Sequence, residues 1–238
     1  MNLICIIPAR YGSSRLAAKM TLPIRGKAVI QHTYESALNA RLFEKVIIAT
    51  DHEHIESIIT DIGGNVAMTP SELPCGTDRV AFVARQFQDD DIIINVQGDQ
   101  PFVTKQMLED LIKPFVENRC DTMSTVGVRV PLDQIQDPSH VKVLLNLHGH
   151  AIYFSRANIP FQMKPVPSLN VMHHIGLYAY RNDFLQSITK LPTSSLELTE
   201  SLEQLRVIEN GLKIAVTETI GVPLEINTKK DLDLAQLI

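Results

Sequence analysis

The stretch IPARYGSSRLAAK, residues 7–19, sets Arg10, Arg15 and Lys19 around a glycine and two serines directly after an apolar run. Small residues let backbone N–H groups face outward and the cations add positive charge, a composition that suits a polyphosphate cradle. Solvated surface cations would fit the same residue types. A Walker loop and a dinucleotide fingerprint are excluded, because neither GxxxxGK[ST] nor GxGxxG occurs here. Further on, NVQGDQP places Asp99 behind Gly98. A carboxylate on so permissive a backbone suits Mg²⁺ bridging to phosphate, although turn aspartates are common without a metal. CGTDR, residues 75–79, reads as a helix start with Gly76 or Thr77 as cap. Arg79 runs against the helix dipole there, which an anionic or base-bearing ligand would explain. Asp89 to Asp91 resemble a metal motif but precede a strand, so they read as a solvated turn. His173 and His174 are neighbours in a strand-like run, whose period of two lets at most one face a site. No G-x-S-x-G elbow is present.

Positioning these residues requires elements that the hydrophobic pattern supplies. LICIIP is a short branched apolar run stopped by Pro8, as expected of a strand covered on both faces. KAVIQHTYESALNA has helical periodicity, with Val29, Ile30, Tyr34, Ala37 and Leu38 on one side. KVIIATD, NVAMT and DIIINVQGD read as further strands, and EHIESIITDIGG and GTDRVAFVARQF as helices between them. Strand and helix alternate four times in the first hundred residues, which predicts a Rossmann-like α/β fold with a mostly parallel central sheet flanked by helices. In such a sheet, ligands bind beyond the carboxyl ends of the strands, where the first loop and Asp99 both lie. After the helix TKQMLEDLIKPFVEN, the runs DTMSTVGVRV, VKVLLNLHGHAIYFSR and MHHIGLYAYR predict an additional antiparallel lobe, with a hairpin turn at Gly149. SSLELTESLEQLRVIENG predicts one helix ending at Gly211. No repeat or low-complexity linker divides the chain, so residues 1–238 are expected to form a single domain, with halves at 1–118 and 119–238.

Composition narrows the classes of function. The 238 residues are 45% hydrophobic and 21% charged, with a formal net charge of -5, so no overall basic surface exists to hold nucleic acid. Cys5, Cys75 and Cys120 show no CxxC or metal-like spacing and read as reduced thiols. The N-terminus lacks the pattern of a signal peptide, and no run approaches the roughly 18 apolar residues of a membrane helix. A cytoplasmic protein is the expectation.

Taken in order, IPARYGSSRLAAK, ATD, CGTDR, NVQGDQP, HVKVLL, AIYFSRANIP, HHIGLYAYR and LEQLRVIENG resemble the CMP-Kdo synthetases, the 3-deoxy-manno-octulosonate cytidylyltransferases. The resemblance runs from residue 4 to about residue 232. It implies a nucleotidyltransferase-type fold and an enzyme that couples CTP to the anomeric hydroxyl of Kdo, with Mg²⁺ and release of pyrophosphate, for lipopolysaccharide biosynthesis. Carried over by residue, it implies that Arg10, Ser14, Arg15 and Lys19 hold the triphosphate. Ala9, Gly76, Thr77 and Arg79 would line the CTP site, and Gln97 would approach the sugar. Arg156, His174, Tyr178, Glu203 and Gln204 would form the Kdo pocket, with Arg156 answering the sugar carboxylate. Asp99 and Asn227 would face Mg²⁺, and a homodimer through strands of the second half is implied.

Three departures from the family pattern stand out. RLAAK replaces RLPGK, Gln100 stands where QGDEP has glutamate, and INTKKDL replaces VDTPEDL, so Asn227 occupies the second metal-binding aspartate position. An amide oxygen can ligate Mg²⁺ but brings no charge, which predicts weaker Mg²⁺ affinity than in a typical member, with Asp231 as a nearby carboxylate to recruit. The alternative is a catalytically impaired homologue that binds nucleotide or sugar as a regulatory protein.

Overall fold

A computed structural model describes residues 1–12, 16–117, 122–164 and 170–238. The first part of the chain runs β1 (Leu3–Ala9), β2 (Pro23–Ile24), β3 (Lys27–Ala28), α1 (Val29–Asn39), β4 (Lys45–Thr50), α2 (Glu53–Thr60), β5 (Asn65–Met68), α3 (Gly76–Ala84) and β6 (Ile92–Asn95). It continues through α4 (Lys105–Val116), β7 (Met123–Pro131), β8 (Lys142–Leu145), β9 (Ala151–Ser155), β10 (Asn170–Arg181) and α5 (Asn182–Ile188). The last elements are α6 (Ser195–Glu200), α7 (Leu205–Glu209), β11 (Ala215–Glu218) and α8 (Lys229–Ala235). Two compact units result: one comprises Met1–Leu108, Tyr180–Thr189 and Pro223–Ile238, the other Glu109–Ala179 and Lys190–Val222.

In the first unit β6, β1, β4 and β5 lie side by side, every pair parallel. Ile4, Ile6, Ile7, Ile48, Ile93 and Ile94 are buried, as the continuous apolar runs require of strands covered on both faces. Because the strands are parallel, the segments after Ala9, Thr50, Met68 and Asn95 all emerge at one edge. β1 passes through Pro8, where the sequence suggested that it would stop. Its pairing with β6 ends at Ile6, so Pro8 keeps a partner only in β4, an edge-like setting in which a missing N–H is tolerated. On α1 the buried face includes Thr33 and leaves Leu38 exposed, against the predicted stripe. Thr33 earns that place by donating from Oγ1 to the Gly98 carbonyl at 2.8 Å, tying α1 to the turn that carries Asp99.

The second unit holds the antiparallel lobe. β8 pairs antiparallel with β9 and with β10, around a turn in which Gly149 takes φ +78°. β11 pairs in parallel with β7, which lies beside β10. The expected α/β class, with a parallel sheet, flanking helices and an antiparallel lobe, is the class observed. The single late helix is not: α6 and α7 are separated at Ser201, whose φ of 52° is left-handed. A capping box at Ser194 and Glu197 starts α6, and the Arg206 guanidinium grips the same Glu197 carboxylate at 2.5 and 2.8 Å. These polar contacts fix two short helices where apolar periodicity suggests one.

Candidate active site

The residues that the resemblance places on the nucleotide side belong to the first unit. Arg10 follows β1, is exposed and donates to the Leu73 carbonyl at 2.7 Å. Tyr11 stacks on His52 with ring centroids 3.7 Å apart, and His52 Nδ1 caps α2 by accepting from His54 N. Neither histidine stood out in the sequence, because the stack depends on two loops meeting at the sheet edge. Ser14 and Arg15 lie outside the described residues. Ala18 adopts φ 49°, and just beyond it the Lys19 ammonium meets Asp99 Oδ2 at 2.6 Å and Asn227 Oδ1 at 3.3 Å. Lys19 is buried and Asp99 partly so. The ammonium therefore occupies a cation's position between a carboxylate and an amide oxygen.

Gly98 is what lets this turn pack. A Cβ there would come within 2.9 Å of the Pro8 carbonyl and 3.1 Å of the Met20 sulfur. The Asp99 carbonyl in turn accepts from Ile226 N at 2.9 Å, which brings Asn227 beside the carboxylate. Asp231 is already engaged in starting a helix. Its Oδ2 takes the N–H groups of Asn227 and Thr228, at 3.0 and 2.7 Å, in the capping box that starts α8.

At α3 the cap is Cys75, not Gly76 or Thr77, and its thiol donates to Asp78 Oδ2 at 3.0 Å. Gly76 leaves its Cα open toward Gln97, whose Oε1 would lie 3.5 Å from a Cβ. Gln97 donates to Asn95 Oδ1 at 3.1 Å, while Ala9 is fully buried. Thr77 is half-buried. Arg79 requires correction: only 2% exposed, it donates to Asp51 Oδ2 at 2.8 Å and to Thr69 Oγ1. A partly buried aspartate from the segment after β4 thus explains the arginine that the helix dipole made odd. Its guanidinium braces the loops after β4 and β5 instead of presenting itself to a ligand.

The residues that the resemblance places on the sugar side belong to the second unit, apart from Gln97. Arg156 donates from Nε to the Glu200 carbonyl at 2.8 Å, from Nη1 to Pro138 at 3.0 Å and from Nη2 to Ser201 at 3.4 Å. The left-handed Ser201 that breaks the helix thereby helps to aim the guanidinium. Beneath it Lys142, fully buried, donates to the carbonyls of His140 and Arg156, each at 2.8 Å. Burial holds the Lys142 amine below its ordinary pKa. A lysine inside the apolar run of β8 was the signal that could have found it. Burial opposes ionisation of Glu200, but hydrogen bonds from Ser155 and Arg156 N hold its pKa below the usual carboxylate range.

His173 and His174 are both buried. Nε2 of His174 lies 3.0 Å from Thr125 Oγ1, with Phe154 and Tyr178 rings 5.0 and 5.5 Å away. Burial first, and His173 second, push the His174 pKa down to about 3, so the ring is neutral near pH 7. His173 faces His140 and is pushed down to about 4, again chiefly by burial. Tyr178 is half-buried and Glu203 exposed. Gln204 is buried with Nε2 lacking a hydrogen-bond partner among the described residues, the mark of a donor that a ligand or water would satisfy.

A sequence-family model described as Cytidylyltransferase matches residues 4–214. The chain is 43% identical over 240 residues to a 3-deoxy-manno-octulosonate cytidylyltransferase of Acaryochloris marina, covering 100% of this chain and 97% of that one. It is 40% identical over 244 residues to the protein of the same name from Geobacter sulfurreducens, covering 98% and 97%. Among solved structures, a CMP:2-keto-3-deoxy-manno-octonic acid synthetase complexed with CTP superposes with a TM-score of 0.93 at 36% identity, over 100% of this chain and 98% of that one.

Proposed function

This chain belongs to the 3-deoxy-manno-octulosonate cytidylyltransferase family, and from that premise we propose that it transfers the cytidylyl group of CTP to the anomeric hydroxyl of Kdo, releasing pyrophosphate. The observation that carries the reading is the Lys19–Asp99 pair at the carboxyl edge of the parallel strands, in a chain alike over its whole length to a protein described as complexed with CTP. In the reaction the anomeric oxygen forms a bond to the α-phosphorus, the bond to the pyrophosphate oxygen breaks, and the hydroxyl proton passes to solvent water. Negative charge grows on the leaving phosphates. Arg10, Arg15 and Lys19 answer that charge, and alignment with electrostatic stabilisation supplies the rate. Gly76 and Thr77 leave room and donors for the nucleotide, and Arg79 keeps their loop in place through Asp51. Arg156, steadied by three carbonyls and by Lys142 below, meets the sugar carboxylate. Tyr178, Glu203 and Gln204 complete the sugar side, and the neutral His174 offers a hydrogen bond there without a charge.

We propose Mg²⁺ as the cofactor. The residues fit it: Asp99 and the Asn227 amide oxygen are hard oxygen donors already arranged around a cation, the Lys19 ammonium. Among the described residues no cluster of three His, Cys, Asp or Glu could hold a metal unaided, so phosphate oxygens must complete the coordination, as is usual for Mg²⁺. When bound, the ion would neutralise phosphate charge as the pyrophosphate leaves. A role in lipopolysaccharide biosynthesis, a cytoplasmic location and a homodimer are further parts of the proposal. No helix among the described residues is long and apolar enough to cross a membrane. The catalytically impaired alternative gains no support from the relatives, which carry enzyme names.

The test is pyrophosphate release by purified protein with CTP, Kdo and Mg²⁺. Release should require Kdo and fall by at least about a hundredfold in Asp99→Ala, the scale of losing one electrostatic stabiliser. CTP binding without any release would overturn the reading.

A further inference from the structure

Glu225 has no part in the site as derived so far, yet two site-edge amides converge on it. Gln100 Nε2 donates to Glu225 Oε1 at 2.9 Å, and Asn227 Nδ2 donates to Oε2 at 3.2 Å. Gln100 itself is 1% exposed, and its Oε1 is buried without a partner among the described residues. A buried amide that leaves its oxygen unsatisfied while its nitrogen reaches a carboxylate is held by that carboxylate. For Asn227 the consequence is directional. With Nδ2 on Glu225, Oδ1 must face the other way, where it lies 3.3 Å from the Lys19 ammonium that also contacts Asp99. The reversed amide would set an oxygen against the Glu225 carboxylate and N–H groups against an ammonium, two repulsions in place of two attractions.

We propose that Glu225 is a positioning residue that locks the Asn227 side-chain amide with its oxygen toward Asp99, so that a neutral residue serves as a fixed oxygen ligand for the cation of the reaction. The proposal rests on the magnesium reading above. It follows the general behaviour of metal sites, in which an outer partner orients the ligand and is worth roughly ten- to a hundredfold in affinity. It also implies that Asn227 and Glu225 act as one unit. Asn227→Asp alone would bring a second carboxylate against Glu225, so the charge it adds is useful only once Glu225 is neutralised.

Two measurements decide this. In the protein alone, without nucleotide or metal, the Asn227 side-chain amide protons are followed by NMR exchange. Glu225→Ala should speed their exchange about tenfold, whereas Glu225→Gln, which keeps an acceptor oxygen of the same shape, should largely preserve protection. Unchanged exchange in Glu225→Ala overturns the proposal. In the CTP complex, Mn²⁺ affinity is then read by electron paramagnetic resonance as a probe for Mg²⁺. Glu225→Ala should weaken it about tenfold in the Asn227 background but strengthen it in the Asn227→Asp background, where the carboxylate offers two equivalent oxygens, needs no orienting and is freed of the neighbouring Glu225 charge. Equal loss in both backgrounds overturns the proposal by making Glu225 a direct ligand or a plain negative charge. Wild-type protein with CTP that takes up no Mn²⁺ overturns the magnesium reading and the ligand role drawn from it, while the exchange measurement still decides whether Glu225 orients the amide.

Discussion

His174 and His173 are bases kept neutral by burial, and that has a thermodynamic cost in acid. Their pKa values in the folded chain, about 3 and about 4, lie below the ordinary 6.5, so between pH 6.5 and 4 the unfolded chain binds protons that the folded one refuses. Their contribution to stability is therefore complete above pH 6.5 and is lost as the pH falls toward the folded values. Below pH 6 the unfolding free energy should drop by up to about 1.4 kcal/mol per pH unit for each ring. Urea titrations from pH 7.5 to 4.5 would read this slope, and His174→Gln should reduce it by about one proton. A slope untouched by that substitution would mean that another group dominates the acid response. Arg79 shows the other outcome of burying a basic group: it stays charged because Asp51 meets it, and burial is an outcome of folding that the types of neighbouring residues do not reveal.

Between β1 and β2, Ala18 is strained. Ala18 adopts φ 49°, ψ 31°, at the position where the resembled pattern has glycine, and a left-handed alanine costs about 1 kcal/mol. Ala18→Gly should relieve that conformation and raise stability by a few tenths to about 1 kcal/mol, read as the shift in denaturation midpoint. A loss of stability would show that the alanine methyl is needed where it sits. Which features of these elements could be read beforehand follows from the range of the interactions that make them. The strands of the parallel sheet and the turn at Gly149 rest on local pattern, and so the apolar runs and turn residues announced them. The break at Ser201, whose carbonyl meets the distant Arg156, and the run of β1 through Pro8, set by where β6 ends, rest on contacts that local pattern does not show. Within the candidate site, Asp99 was legible as a carboxylate on a glycine turn, and the resemblance pointed to Arg156 and Gln204. Lys142, Glu225 and the Tyr11–His52 stack were not, since each acts through a contact that only folding creates.

At the scale of the molecule, the second unit exposes Leu147, Ile152, Phe161 and Met163. Leu147 belongs to the lining of a groove of about 430 Å³ together with Val143, Leu145, Val171 and Met172. Apolar side chains left in water around such a groove suit the proposed homodimer. Light scattering should give twice the chain mass for the wild type, and Leu147→Asp should shift the equilibrium toward the monomer by at least about tenfold in dissociation constant. An unchanged dissociation constant would move the interface elsewhere. The first unit, for its part, is assembled from three separate stretches of chain, the last being Pro223–Ile238. Ile226, Leu232 and Ala235 of that stretch pack on Ile24 and Val29, while Ile226 N clasps the carbonyl of Asp99. During synthesis, Glu225 leaves the ribosome 125 positions behind its partner Gln100. The contact of Lys19 with Asp99 and Asn227 consequently cannot be completed on a growing chain until that stretch has emerged.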